Sequence, residues 1–358
     1  MRKLFYFELR KIFSRRLTQI ALFAIVLLSI LLSLSTYQSK YAFDGNSNEG
    51  TGKTAVEIEK RIAADYAGTL TDEKIQKMLT DFAPKTDLHG LNAAYLYQNA
   101  LQSAAFARFS DLDGNWNGLS VSDVFGSEAI KIGYIDGWLS TVQNMAKILL
   151  VLSLVMIIMT ASVFCGEYNG VDNLILTSKY GRTKCATAKV MASIFAALVV
   201  TAIVIAGNYL LAFALYGSEG LDCSILFAPI SYMEGFIPFN ITCGAMLKYQ
   251  ILLAFTGAIS VTGITLIVSA VSKNQITALV VSAAIYMFPV LLPIEETNVL
   301  FRYIGLLPLY HAQFISLMSI ECMSNGLLYA VWVVPVACIF IGTGSFFSRR
   351  IFAKHQIF

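Results

Sequence analysis

Long uncharged runs alternate with short polar segments along most of this chain, which is the pattern of helices that cross a membrane. Residues 17–39 contain no charged side chain over 23 positions, and a helix of that length crosses the roughly 30 Å hydrocarbon layer of a bilayer. The same criterion predicts further spans at 148–166, 190–216, 249–272, 274–294 and 327–348. We therefore predict an all-α integral membrane protein with six transmembrane helices.

The first 16 residues predict an amphipathic helix. Leu9, Ile12 and Phe13 fall near one helical face, and six Lys and Arg residues surround them. A helix of this kind lies on an anionic cytoplasmic leaflet. A basic start before an apolar run is also typical of a cleaved signal peptide. Because the run is long for a signal peptide and residues 33–40 offer no small-x-small cleavage site, we favour an uncleaved anchor.

Residues 40–147 have the composition of a soluble domain, with 10 basic and 14 acidic side chains. Apolar residues at three- and four-residue spacing predict helices at about 54–66, 71–82 and 91–109. From position 121 onward the chain becomes more apolar and leads towards the second span. The interpretation is a mainly helical domain between spans 1 and 2.

Two later segments are mostly apolar, but charged residues and prolines interrupt them, so neither has the long uncharged run of a span. Residues 217–248 include Glu234 and two prolines, and residues 295–326 include Pro308 and His311. Broken helix at membrane depth is tolerated where protein covers it. We therefore interpret the first segment as an extracytoplasmic loop and the second as extracytoplasmic or re-entrant.

The distribution of Lys and Arg predicts the orientation. With six spans, one side receives residues 1–16, 167–189, Lys273 and the tail 349–358, which together carry 14 Lys and Arg, whereas the short loops opposite carry only Lys248 and Arg302. Short basic loops stay in the cytoplasm, and large domains are exempt from this rule. A seventh span at 303–320 would place the basic tail outside, so we disfavour it. Both termini are expected in the cytoplasm of a bacterial cell and the domain outside the plasma membrane.

Composition agrees with a membrane protein and excludes several other classes. Hydrophobic residues make up 56% of the chain and charged residues 14%, with a mean hydropathy of +0.65. A net charge of +3 is too small to indicate a nucleic-acid partner. The six cysteines include no CxxC pair, so neither a zinc site nor a disulfide scaffold is indicated. Cys223 and Cys243 share one predicted outside loop, and their pairing stays open.

Two short motifs have partial matches to ligand-binding loops. The sequence EGTGKT at 49–54 resembles the end of a phosphate-binding loop, but Ser47 stands at the first glycine position, so we favour a flexible loop. The sequence DGNWNG at 113–118 matches the first half of a calcium loop, but Val124 stands where a bidentate carboxylate is needed. An Asx-rich turn is the favoured interpretation, and a weak calcium site is the alternative.

No catalytic or cofactor-binding constellation is recognisable. His89, His311 and His355 are isolated in the sequence, and we expect neither a metal, a cofactor nor an enzymatic activity on this chain. Asn208 is a polar side chain within the predicted third span. Such residues face a translocation path or a neighbouring helix, and both interpretations remain open here.

The polar loop between spans 2 and 3 resembles that of the permease subunit of type 2 ABC exporters. It carries an acidic Glu167, then Gly170, a short apolar helix at 174–176, a small-residue turn with Arg182, and Lys184 or Lys189 before the third span. Val171 and the pair Lys179-Tyr180 depart from that pattern. The amphipathic start, the six spans and the near-re-entrant segment add to the resemblance.

The resemblance implies a coupling helix at 166–184 that binds a separate ABC ATPase, with the turn at 272–275 as a second contact. The residues it assigns to ATPase coupling are Glu167, Tyr168, Gly170, Asp172, Leu174, Lys179, Arg182 and Lys273. ATP would bind only to the partner subunit. A second permease, identical or related, would complete a path through the bilayer for an amphipathic peptide such as a toxin, bacteriocin or antimicrobial peptide. A sensory or scaffold membrane protein, or an ion or drug exporter, is the alternative.

Overall fold

The protein is mostly helical and is embedded in a membrane. Its computed structural model describes residues 1–85, 88–168, 177, 181–229, 240–292, 300–312 and 328–354. Within these residues, five helices are long and apolar enough to cross a bilayer. These are Arg16–Ser39, Asp136–Glu167, Gly181–Tyr216, Cys243–Val271 and Trp332–Lys354. The prediction of an all-α membrane protein is confirmed at this level.

The predicted span at 274–294 corresponds to a shorter apolar segment, Gln275–Leu291. Its α-helix covers 13 residues, which is about 20 Å at 1.5 Å per residue and less than the hydrocarbon thickness. Pro289 lies in the 3₁₀ turn that continues it. Six spans therefore stay a prediction.

The helices and strands follow one another in chain order. The helices are α1 (Arg2–Phe13), α2 (Arg16–Ser39), α3 (Lys53–Asp65), α4 (Asp72–Asp81), α5 (Ala100–Phe109), α6 (Val121–Phe125), α7 (Asp136–Ala161), α8 (Ala186–Tyr216), α9 (Cys243–Val271), α10 (Gln275–Met287), α11 (Phe301–Ile304) and α12 (Leu328–Lys354). The strands are β1 (Tyr41–Phe43), β2 (Glu49–Thr51), β3 (Gly68–Thr69) and β4 (Lys131–Ile132). Strand β1 pairs antiparallel with β2, and β3 pairs antiparallel with β4.

Helix α9 lies at the centre of the bundle and packs on α12, α7, α8 and α10. Its crossing with α12 depends on two glycines, because a Cβ atom at Gly344 would lie 2.3 Å from the carbonyl oxygen of Gly263. Small residues at such a crossing let two backbones approach closely. The hydroxyl of Thr36 on α2 accepts a hydrogen bond of 2.9 Å from Asn144 on α7, so polar contacts also join the helices.

The domain between α2 and α7 contains the three predicted helices as α3, α4 and α5. The third begins at Ala100, later than predicted, because the Asn99 side chain accepts a hydrogen bond from the Gln102 amide and caps the helix there. Phe106 and Phe109 of α5 are buried in the domain core. Phe227, which follows α8 in the chain, joins the same core, so the chain around this residue also packs on the domain.

Helix α7 begins at Asp136, well before the predicted start of the second span. Asp136 forms an ion pair with Lys40, which ends α2. A carboxylate in the first turn of a helix is also stabilised by the helix dipole. The chain therefore passes from the domain into the apolar bundle in one continuous helix.

The two partial ligand motifs fold differently from each other. Asp111 Oδ1 accepts hydrogen bonds from the amides of Asp113 and Asn115, at 3.0 and 2.8 Å. This oxygen is therefore hydrogen-bonded to the backbone of its own loop, as in an Asx turn. Lys53 of the 49–54 motif opens α3 with a mostly exposed side chain near Glu57. The loop at 111–117 is therefore a turn, as interpreted, whereas the 49–54 motif is not a flexible loop, because Glu49–Thr51 forms strand β2 and Lys53 opens α3.

Candidate functional site

Charged side chains meet at the end of the bundle that carries α1. Three elements supply them: α1, the end of α7 with its 3₁₀ turn Cys165–Glu167, and the start of α8. Helix α1 turns one face inward, burying Glu8 and Ile12, and leaves Arg2, Lys3 and Arg10 exposed. The inward face thus combines an apolar contact with an acidic one.

Lys189 is the centre of this charged cluster. Its side chain is 0% exposed, and its Nζ lies 3.0 Å from Glu8 Oε2 and 2.6 Å from Glu167 Oε1. Nζ also donates to the carbonyl oxygen of Val163 at 3.1 Å. A buried ammonium is tolerated only where such partners surround it, so α1, α7 and α8 are held at one point.

Further basic groups from the amino-terminal segment complete the cluster. Lys11 donates to Oε1 of Glu167, and Arg15 donates to the side chain and carbonyl oxygen of Ser162. Burial lowers the pKa of Arg15, while the nearby Glu8 carboxylate opposes that shift. Oε2 of Glu167 has no hydrogen-bond partner among the described residues. Glu167 therefore contacts the cations of its own chain through one oxygen, Oε1.

Aromatic residues extend the junction to α9 and α12. The Tyr168 hydroxyl donates to the Ala270 carbonyl oxygen at 2.9 Å, and the Phe164 amide donates to Ser269 Oγ at 3.0 Å. The rings of Phe164 and Tyr168 pack against Phe352 of α12. The end of the second span is therefore fixed to the ends of two other helices.

The residues assigned to ATPase coupling have different positions. Glu167 and Tyr168 are buried, so each contacts other parts of this chain. Arg182 and Lys273 are exposed at the same end of the bundle, and Arg182 donates to the Ala353 carbonyl oxygen at 2.8 Å. The remaining four, Gly170, Asp172, Leu174 and Lys179, lie outside the described residues.

Asn208 joins two helices within the apolar bundle. Its side-chain nitrogen donates to Ser29 Oγ on α2 at 3.3 Å and to the Val204 carbonyl oxygen at 2.8 Å. The residue is only 6% exposed. Its geometry is that of an interhelical contact between α2 and α8, which is the packing interpretation of the sequence.

Sequence reasoning missed Glu8, although a signal for it exists. Glu8 is the only acidic residue among the first 16 positions. A single carboxylate on an otherwise basic helix, together with a lysine such as Lys189 just inside an apolar run, indicates a buried ion pair. That pairing could not be assigned from the sequence because 181 positions separate the two residues.

Cys223 and Cys243 lie on adjacent segments at the domain end of the bundle. The Cys243 amide donates to the Cys223 carbonyl oxygen at 2.9 Å. Both thiols are buried and free in this structure, and burial raises the pKa of the Cys223 thiol to about 11.

Comparison with protein families, curated proteins and solved structures finds no match to this chain. The site is therefore interpreted from its own geometry. That geometry is a stiff junction: a buried ionic cluster joins α1, α7 and α8 next to the polar loop between the second and third spans.

Proposed function

We propose that this chain is the permease subunit of an ATP-driven ABC exporter. The observation that supports the proposal is the buried contact of Lys189 with Glu8 and Glu167. It fixes both ends of the loop between the second and third spans to each other and to α1. When a partner exerts a force on a loop that is fixed in this way, the force is transmitted to both spans at the same time.

The physical argument concerns how movement crosses a protein. Closure of two ATPase subunits on ATP is a rigid-body motion, and a stiff element continuous with the spans passes such motion onward. A partner that presses on the loop meets a unit held by ion pairs and by aromatic contacts to α12. Glu167 then acts as a positioning residue, and exposed neighbours such as Arg182 and Lys273 meet the ATPase.

The proposal includes an orientation, partners and a substrate. The end that carries α1 faces the cytoplasm of a bacterial cell, and the domain lies outside the plasma membrane. ATP binds the partner ATPase, and two permeases, identical or related, line one path. The substrate is an amphipathic peptide, because the spanning helices offer an apolar route with few charged side chains.

A charge-reversal experiment tests the contact with the ATPase. The full chain is co-expressed with the ATPase encoded beside it, and the complex is captured on the ATPase. Arg182→Glu and Lys273→Glu should each reduce recovery of the permease. The matched control is Lys53→Glu, since Lys53 is 81% exposed at the opposite end of the bundle and its reversal should leave recovery unchanged.

Reconstitution in liposomes tests transport itself. Amphipathic peptides should raise ATP hydrolysis by the complex, and Glu167→Gln should reduce that stimulation while the complex still assembles. The alternatives make different predictions. A sensory or scaffold protein forms no complex with the ATPase, or its complex hydrolyses ATP at a rate that no peptide changes. An ion or drug exporter of the same kind responds to ions or small drugs instead of peptides.

A further inference from the structure

Charged and aromatic side chains meet where the domain joins the ends of α2 and α7. Lys40, which ends α2, forms an ion pair with Asp136, the first residue of α7. Glu59 of α3 and Asp136 both line a small cavity, with Tyr134 and Phe227 also in its wall. The domain therefore contributes a second carboxylate to a site where two membrane helices are already paired.

Glu59 is held firmly in this position. Its side chain is buried, and its Oε1 accepts a hydrogen bond of 2.9 Å from the amide of Ala100, the first residue of α5. The Tyr97 hydroxyl lies 3.3 Å from the same oxygen. Glu59 thus connects α3 with the start of α5 inside the domain.

The charges around Glu59 do not balance when it is ionised. Facing it are the Asp136 carboxylate, the Lys40 ammonium and the Tyr97 hydroxyl. One further ammonium group borders the site: Lys60 lies over the ring of Tyr134, while Lys40 itself lies 5.7 Å from the ring centre of Tyr216. Two carboxylates would then share Lys40. Burial is the larger cause and the negative charge of Asp136 the smaller one, and together they raise the pKa of Glu59 to about 8.

We propose that Glu59 is a protonation switch that controls how tightly the domain sits on the first two membrane helices. With the proton bound, the net charge of Lys40, Asp136 and Glu59 is zero, and Lys40 forms an ion pair with Asp136 alone. When the proton leaves to solvent, Lys40 is divided between two carboxylates, and their repulsion loosens the base of the domain from α7. This behaviour belongs to the chain itself and does not depend on the proposed transport function.

Trp138 provides a local reporter of this junction. It is fully buried two residues after Asp136, and its Nε1 donates to the Glu219 carbonyl oxygen at 2.7 Å. The full chain carrying Trp116→Phe and Trp332→Phe retains Trp138 as its single tryptophan. Its fluorescence in detergent, followed from about pH 6 to about pH 9.5, below the range of ordinary tyrosine ionisation, reports the packing of the junction.

The expected result is one transition with a midpoint near pH 8, the pKa of Glu59. Glu59→Gln should abolish it, because glutamine cannot ionise. Glu57→Gln should leave it unchanged, since Glu57 is on the same helix but 65% exposed. Asp136→Asn should move the midpoint to lower pH, because it removes a negative neighbour and frees Lys40.

A transition that survives Glu59→Gln overturns the proposal, as does the absence of any transition in this range. A second measurement covers the case in which the variant does not fold. Infrared difference spectra of the unmodified chain should lose the carbonyl absorption of a protonated carboxyl group as the pH rises through 8. If that absorption is already missing at neutral pH, Glu59 holds no proton and the switch does not exist. No ATPase is used, so failure here is distinct from failure of the transport proposal.

Discussion

The Nζ atom of Lys189 lies 2.6 Å from Oε1 of Glu167, and both side chains are buried. The two residues are 22 positions apart, on opposite sides of the loop that joins α7 to α8. Their ion pair therefore closes that loop at its base. Glu8 adds α1 to the same point through its own contact with Lys189.

Replacement of Lys189 by methionine should destabilise the chain strongly. Glu8 and Glu167 would remain buried after losing their shared cation, and breaking a buried ion pair by removing one partner costs about 3–5 kcal/mol. Thermal unfolding in detergent measures the loss. Lys3→Met is the matched control, because Lys3 is exposed on α1, and it should change stability by less than about 0.5 kcal/mol. Equal effects of the two variants would contradict the central role of Lys189.

A methyl group at Gly344 should disrupt the crossing of α9 and α12. The new Cβ would lie 2.3 Å from the Gly263 carbonyl oxygen, and overpacking of this kind costs about 1–3 kcal/mol. The matched control is Gly342→Ala, two residues away on the same helix, where a Cβ atom would meet nothing within 4 Å. It should be neutral or slightly stabilising, because alanine favours helix over glycine. The comparison fails if both variants unfold at the same temperature.

Asn208→Leu and Ser29→Ala should have small and non-additive effects. Each removes the same hydrogen bond between α2 and α8, and such bonds in membranes average about 0.6 kcal/mol. The double variant should therefore lose little more than either single variant in a double-mutant cycle of unfolding free energies. A transport defect of Asn208→Leu that Ser29→Ala does not share would instead assign Asn208 to the translocation path.

The stability of the domain should fall as the pH rises towards 8. The Glu59 carboxyl titrates near 4.5 when unfolded and near 8 when folded, so the folded state holds its proton more tightly. The stabilising contribution is complete below the lower value and is lost progressively up to the higher one. Melting temperatures measured across this interval should decline for the unmodified chain and flatten for Glu59→Gln. A decline of equal slope in that variant would assign the effect to another group.

The apolar runs alone determined that this chain is helical and embedded in a membrane. A helix satisfies its own backbone hydrogen bonds, so a long uncharged stretch predicts it without knowledge of any neighbour. The same local logic located α3 and α4 within the domain closely. It was less accurate for α5, where the side-chain cap at Asn99 decided the start, and for α7, which begins at Asp136 in contact with Lys40.

Only the tertiary structure decided which charged residues meet. Glu8, Glu167 and Lys189 come from three separate helical segments, and Glu59 of the domain lines the same cavity as Asp136 of α7. Charge and hydropathy along the chain indicate where polar groups occur, but they do not indicate which of these groups are buried next to one another. That depends on helix packing, because a buried charge is stable only beside the partners that packing brings to it.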